Sequence, residues 1–577
     1  MTGTRIRAGA GPVAVAVGAV LVGSLLTTML PWFTGREPAL SVLRARQAER
    51  EATPELLARI REGFDLPATP WESLAGWFTG PLRGDFGPSW VDQGQSAMGA
   101  AVGGLGISVS LTVVSLIVST LIAAAVVAPR LTAAAHGRRP GGAAATILAG
   151  LSALPDFVLA VVLMWVFALQ LGWFPVSGFA GPMHMVLPVI ALAVAAGGMY
   201  GRVLLISADA ACGEAWVESW RINGVAPRTI ARHLLGRAFI PTIPLLALYF
   251  AGTVTATAAV EVTYNIPGFG RTVVAAARDQ DIPVIQAAVT IVLVLGAIVG
   301  LLTHFLRRWL LAPLDGDVAG VAGARAPSRG PSAAWAWIAL MPLVLVFAGL
   351  FRDASIDPAD RLAGASAGHP LGTDQLGRDL WARLADGALY SIGVAVLVTA
   401  VCAVLGVVLG HMGRWVQQVG EALNAMPSIL IGLILAGVFG ASTWTAAIAV
   451  VLGGWIPLAA HCAAVAEEAR STGHHRYAEV MGASRWHLLR HHVLPVTVPA
   501  TVRHAVGRIA HNALALAALG FLGVGAVHDS PEWGVVLNEA TGYLTRAPWM
   551  ALGPTICLVA LGVLAAVLTD RRASARA

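Results

Sequence analysis

The 577-residue sequence has no lysine; all 38 of its lysine-plus-arginine positions are arginine. A Walker A loop needs a lysine to hold nucleotide phosphates, and a retinal or pyridoxal Schiff base needs one to form at all, so this chain carries neither chemistry. Charge of either sign is scarce. Only 12% of residues are charged while 56% are hydrophobic, against about a quarter charged in an ordinary soluble domain. That balance all but rules out a soluble fold. The four cysteines, Cys212, Cys402, Cys462 and Cys557, stand far apart with no paired spacing, which indicates neither a disulfide framework nor a zinc knuckle. No Ser-His-Asp order or paired carboxylate cluster stands out, so no catalytic residue, metal ligand or resident cofactor is expected. His487 and His491 share a helix face with His492 beside them. They lack a third ligand at fixed spacing, and the surrounding arginines would repel a cation.

What the chain has in quantity is continuous apolar sequence. Blocks such as Val13 to Leu30, Leu111 to Val127 and Ile285 to Leu302 are long enough to cross a hydrocarbon core of about 30 Å. They are rich in Ala, Leu and Val and do not alternate, so helices rather than barrel strands satisfy the backbone in lipid. The expected fold is an all-α polytopic membrane protein with about 12 transmembrane helices. Crossings are expected over 8–33, 104–128, 145–170, 184–206, 238–260 and 286–310, then over 334–351, 388–411, 424–440, 442–466, 507–525 and 549–569. Between the two sets, residues 312–333 are mostly Ala, Gly, Pro and Ser and read as a flexible tether. The chain thus divides into a first unit, 1–311, and a second, 334–577. Arginines cluster in the segments that would share one side, among them Arg130, Arg221, Arg307, Arg485 and Arg571. The positive-inside rule makes that side cytoplasmic, together with both termini. The net charge of +6 is therefore a record of topology and gives no reason to expect nucleic acid.

The largest inner loop of each unit repeats one pattern. Gly224 is followed eight and nine residues later by Arg232 and His233, and Gly482 by Arg490 and His491. Both loops precede the fifth crossing of their unit and run the same way, giving a parallel repeat with its pseudo-twofold axis along the membrane normal. They resemble the EAA loop of ABC importer permeases. In the second loop Leu494-Pro495 falls at the family spacing after Gly482, while the E-A-A part has become Arg476-Tyr477-Ala478. The first loop keeps the acid as Glu218-Ser219-Trp220 but lacks the Leu-Pro ending.

Further motifs resemble the dipeptide, oligopeptide and nickel permeases in order along the chain. The first unit is similar to the B-type subunit through Gly84-Asp85-Phe86-Gly87, Ala153-Leu154-Pro155, Leu171 to Pro175, and Glu261 leading to Pro267-Gly268-Phe269-Gly270. The second is similar to the C-type subunit through Gly372-Thr373-Asp374, Gly377-Arg378-Asp379, Gly520 to Gly523, and Pro531-Glu532-Trp533-Gly534. The resemblance implies a fused permease of an importer in a bacterial cytoplasmic membrane. It implies ATP and Mg on two partner ATPase subunits or one fused ATPase, and an extracytoplasmic solute-binding protein. It also gives Glu218, Gly224, Arg232, His233, Arg476, Gly482, Arg490, His491, Leu494 and Pro495 a role in coupling to the ATPases. An outer gate or docking face is expected at Glu261, Pro267, Gly268, Gly270, Gly372, Asp374, Arg378, Asp379, Glu532 and Trp533. Short peptides are the expected solute and nickel or a nickel chelate the alternative. An ion-gradient transporter fits less well, because the charges are expected at helix ends and the repeated inner loops would have no purpose.

Overall fold

A computed structural model describes residues 38–46, 51–138, 141–311, 333–413 and 428–575, except 65, 68, 93 and 528, together with scattered positions between 17 and 32. Among these residues the structure is helical, with isolated β-bridges at Pro88 with Ser96 and Thr373 with Asp379 but no strand. Six helices are long and apolar enough to cross a membrane, and two bent pairs raise the number to eight. Three shorter apolar helices, Trp335–Phe351, Ser428–Phe439 and Ile509–Phe521, lie where three more crossings are expected. The first expected crossing lies mostly outside the described residues, as does the expected tether apart from Ala333.

The first half runs α1 (Leu105–Ala135), α2 (Ala143–Ser152), α3 (Asp156–Leu163), α4 (Met183–Cys212), α5 (Ala215–Ile222), α6 (Pro227–Phe239), α7 (Ile243–Thr263), α8 (Phe269–Arg278) and α9 (Ile282–Leu311). The second runs α10 (Ala333–Val346), α11 (Leu380–Gly410), α12 (Ser428–Phe439), α13 (Thr443–Ser471), α14 (Gly473–Val480), α15 (Arg485–Leu488), α16 (Leu494–Val506), α17 (Ile509–Phe521), α18 (Trp533–Thr541) and α19 (Trp549–Ala575).

Small side chains decide how these helices meet. On α1 the buried positions Ser108, Thr112, Ser115, Ser119 and Ala123 recur every three or four residues and make one narrow face. Lipid supplies no hydrophobic drive between helices, so close approach and hydrogen bonds hold the pair. Ser119 Oγ donates to Ala193 O of α4 at 3.2 Å, and Gly197 of α4 leaves room for the α1 backbone there. α11 and α13 repeat the device, since a Cβ on Gly406 or Gly410 would lie 2.6 Å from Leu458 Cβ or 2.8 Å from Cys462 Cβ.

Two crossings of the first half are broken, and one of the second is interrupted. α2 and the helix over Asp156–Gln170 meet at 84°, at Pro155, which has no N–H to continue the ladder. The helices over Pro227–Ala247 and Gly252–Thr263 meet at 67°, and in the second half α16 gives way to α17 at Gly507 and Arg508. The halves also interlock. Arg278 at the end of α8 donates to Leu522 O through Nε at 2.9 Å and Nη2 at 2.6 Å. Gly562 of α19 backs onto Ala153 O, where a Cβ would lie 1.9 Å away.

Candidate functional site

The two inner loops are built alike, residue for residue, at a separation of 258. α5 ends at Ile222 and α14 at Val480, and the next turn closes with matching backbone bonds. Gly224 N–H donates to Arg221 O and Val225 N–H to Trp220 O, both at 3.0 Å. Gly482 N–H donates to Glu479 O at 3.0 Å and Ala483 N–H to Ala478 O at 3.1 Å. These bonds cap each helix through a left-handed residue, and glycine fills it with φ of 73° at Gly224 and 85° at Gly482. A second helix then begins at Pro227 or Arg485, also 258 apart. The repeat of Gly, Arg and His thus corresponds to one helix-turn-helix used twice.

Most of the motif side chains are exposed on these loops: Arg232, His233, Arg476, Arg490, His491 and Pro495, with Leu494 half-buried. Glu218 pairs with Arg221 at 3.0 Å within the loop, an exposed pair worth little by itself. The firmer tie is Glu214 to Arg237 at 3.0 Å, which joins α5 to α6. Beside Gly224 lies a groove of about 420 Å³ lined by the end of α1 (Ala135, His136) and by Arg221, Ile222, Val225 and Pro227. On the second loop the rings of His487 and His491 stack at 4.3 Å and those of His474 and His492 at 5.6 Å. Burial and the four neighbouring imidazoles hold His492 below its ordinary value.

Sequence reading missed the apolar tips of these loops. Ile222 is 77% exposed and Val480 85%, with Met481 and Trp486 exposed beside the latter. Ile222 ends α5 and Val480 ends α14, so each stands at the turn of its loop. Their signal was present in the sequence, since both stand two residues before the paired glycines.

On the opposite side, Pro267-Gly268-Phe269-Gly270 and Pro531-Glu532-Trp533-Gly534 prove to be the same element, each opening a short outer helix, α8 or α18. Gly270 and Gly534 let those helices lie against α7 and α17, where a Cβ would come 2.5 Å from Ala258 Cα or 1.9 Å from Ala517 O. Each helix start holds a buried carboxylate, supplied from opposite partners. Glu261 reaches over from α7, accepts Arg271 N–H at 2.9 Å and the Ser108 hydroxyl, and abuts Gly268. Glu532 is itself the cap of α18, accepts Gly534 and Val535 N–H at 3.0 Å each, and abuts Gly520 of α17. Glu261 was expected at a helix edge facing water or a partner, but it is fully buried. Burial raises the Glu532 carboxyl to about 7, against the pull of the Gly534 and Val535 N–H groups and Ser391.

The acids and bases of the loop before α11 are spent within the chain. Asp374 accepts Arg378 at 2.7 Å and Arg383 at 3.0 Å, and Arg383 also pairs with Glu539 at 2.8 Å. Asp379 caps α11 through Ala382 N–H at 3.0 Å and meets Arg352 and His369 at 2.9 Å. Burial would raise its carboxyl, but those partners hold it below the usual range. Gly372 and Gly377 take left-handed φ of 76° and 81° in the same knot. One expectation needs correction. Arg508 does not sit at the end of a crossing but at the break between α16 and α17.

Comparison with known proteins points the same way. The family described as "Binding-protein-dependent transport system inner membrane component" matches residues 131–313 and again 402–573. Similar proteins include the dipeptide transport system permease protein DppC of Alkalihalophilus pseudofirmus, 31% identical over 38% of this chain and 77% of the relative. The glutathione transport system permease protein GsiD of Pectobacterium atrosepticum is 31% identical over 34% and 69%. The metal-staphylopine import system permease protein CntB of Staphylococcus aureus is 27% identical over 50% and 92%. With a match to each half and relatives that are covered over most of their length, the chain belongs to the family of binding-protein-dependent transport system inner membrane components and carries the family's domain twice.

Proposed function

We propose that this chain is the fused permease of an ABC importer that moves short peptides inward across the bacterial cytoplasmic membrane. It is a transport permease rather than an enzyme, and permeases of this family work with an ATPase and a solute-binding protein. The observation that carries the reading is the pair of matching inner loops, each with an exposed apolar tip at the same position, Ile222 and Val480. Two equal surfaces on one chain suit two equal partners, either separate ATPase subunits or the two halves of a fused one. ATP and Mg reside there, and units 1–311 and 334–577 each present one loop to the cytoplasm, where both termini lie.

Closure of the ATPases on ATP displaces the two loops, and α5–α6 and α14–α16 carry the displacement into the broken fifth crossings. The permease contributes a difference in stability between its inward-open and outward-open states, and ATP binding and hydrolysis shift that balance. On the outer face, the α8 and α18 starts and the ion-paired knot around Asp374 form the surface that receives the binding protein.

A second reading, import of a nickel chelate, is favoured by the metal-staphylopine relative, which aligns over half of this chain. Uptake of a labelled dipeptide and of chelated nickel by cells with and without the chain separates the two. Coupling is tested with Gly224→Val and Gly482→Val. Neither Cβ would meet a heavy atom within 4 Å, so the main cost is the left-handed backbone, at least about 1–2 kcal/mol and more for a β-branched residue. Uptake and solute-stimulated ATPase should fall while membrane insertion stays normal; unchanged uptake in both variants refutes the coupling role.

A further inference from the structure

The 13 residues of α17 rise about 1.5 Å each, so Arg508 lies roughly 20 Å below the outer end of the helix, in a core about 30 Å thick. A guanidinium at that depth is costly unless it faces water, a counter-charge or a ligand. Among the described residues no acid pairs with it. Arg508 Nε is buried without a hydrogen-bond partner, and the side chain makes no ion pair or hydrogen bond with any described residue. His511, one turn along, is likewise unbonded among the described residues. Asn512 offers no help, because its amide donates to Thr399 at 2.9 Å.

Accessibility supplies an independent observation. Arg508, His511 and Ala515 fall on one face of α17, continued from His504 of α16 across the break, and are all partly or fully accessible, while Ala510, Asn512 and Leu516 of α17 are buried. His511 is exposed although protein surrounds it deeply, as in the wall of an internal cavity. Further out, Ala518, Leu519 and Leu522 are buried, so the accessible stripe is closed toward the outside. The positions 258 residues earlier are Leu246, Phe250 and Thr253, none of them ionisable, so the first half has no equivalent charge.

We propose that Arg508, with His511 beside it, is a subsite on the solute path that receives a carboxylate of the transported molecule. The guanidinium fork matches a carboxylate in shape and charge, and its weak hydration suits a site that is desolvated when occupied. The proposal rests on the importer reading and deepens it. A peptide C-terminus and a metal-bound carboxylate ligand share this chemistry.

The test uses cells carrying the complete transporter and measures uptake of a labelled dipeptide, its C-terminal amide and nickel citrate, in the native chain, Arg508→Gln and Arg508→Lys. Arg508→Gln should lower uptake of the free acid about tenfold, the worth of one charge-assisted hydrogen bond. The same change should leave the amide within about twofold, with Arg508→Lys intermediate for the acid. A purely structural role would lower acid and amide alike. Equal loss for both, or no loss for the acid, overturns the subsite. Should the native chain carry nickel citrate and neither peptide, the peptide reading falls, and the subsite then stands or falls on whether Arg508→Gln lowers nickel citrate uptake by the same factor. A native chain that carries none of the three refutes both.

Discussion

Gly520→Ala should change the sign of its effect with the residue at 532. Alanine inside a helix ordinarily stabilises by about 1 kcal/mol relative to glycine. Here the new Cβ would lie 2.0 Å from Glu532 Oε2 and 3.0 Å from its Cδ, with Val535 Cγ2 next at 3.4 Å. Only the capping carboxylate is in the way. Pushing it aside strips the Gly534 and Val535 N–H groups of their acceptor in a buried site, at about 1–3 kcal/mol for each unsatisfied donor. After subtracting the helix gain, Gly520→Ala should cost about 1–5 kcal/mol. In a Glu532→Ser background the short hydroxyl still caps α18 and no longer reaches toward Gly520, so the same substitution should be neutral or slightly stabilising. The assay is the apparent melting temperature of the detergent-solubilised chain. It is read at one pH and one scan rate for the native chain, both single variants and the double variant, since a membrane protein of this size unfolds irreversibly. The coupling between the two sites is the quantity sought. Gly520→Ala with the same cost in both backgrounds refutes the reasoning, because that cost would then come from something other than the carboxylate.

The raised Glu532 carboxyl has its own pH signature. Between 4.5 and about 7 the folded chain holds a proton that the unfolded chain releases. The stability it contributes is therefore full below the ordinary carboxylate value and is lost as pH rises through about 7, by about 3 kcal/mol at most. The melting temperature of the native chain should fall over that window relative to Glu532→Gln, and parallel curves would show that Glu532 does not titrate there. In the outer knot, Asp374→Asn leaves Arg378 and Arg383 without their shared counter-charge. Removing one partner of a buried pair costs about 3–5 kcal/mol, so limited proteolysis should open the 352–379 segment; unchanged protease resistance would show that Glu539, paired with Arg383, and Asp529, 3.4 Å from Arg378, hold the knot without it.

The helical membrane fold was legible because lipid permits few solutions and the Ala, Leu and Val blocks spell out the helical one. The coupling loops were legible for a narrower reason. A left-handed cap needs glycine, and a glycine required twice, 258 residues apart, leaves a mark that survives the loss of the E-A-A residues around it. Ile222 and Val480 escaped notice because each is a single aliphatic residue in an arginine-rich loop, and their common place two residues before the paired glycines takes on meaning only once the turn that lifts them is seen. Glu261 and Glu532 stood out as motif residues, but their shared task did not. Each caps the start of a short outer helix, yet one approaches from α7 and the other from α18 itself, so no spacing rule relates them. Arg508 was hidden by averaging, since a hydropathy window over 507–525 places its arginine at the boundary, whereas the structure puts it at the break between α16 and α17.

Under the proposed function these differences follow the partners each face would meet. The inner loops, proposed to meet two equivalent ATPase sites, keep the repeat in register down to matching backbone hydrogen bonds. The outer face and the proposed solute path would receive one asymmetric ligand from one binding protein, so nothing obliges the halves to stay alike there. α8 and α18 keep the same helix and the same buried acid while exchanging which side supplies it, because stability constrains the presence of the carboxylate and not its origin. Along the fifth crossing even that constraint is gone. One half offers Leu246, Phe250 and Thr253 where the other offers His504, Arg508 and His511, and a solute with a single carboxylate needs only one of them.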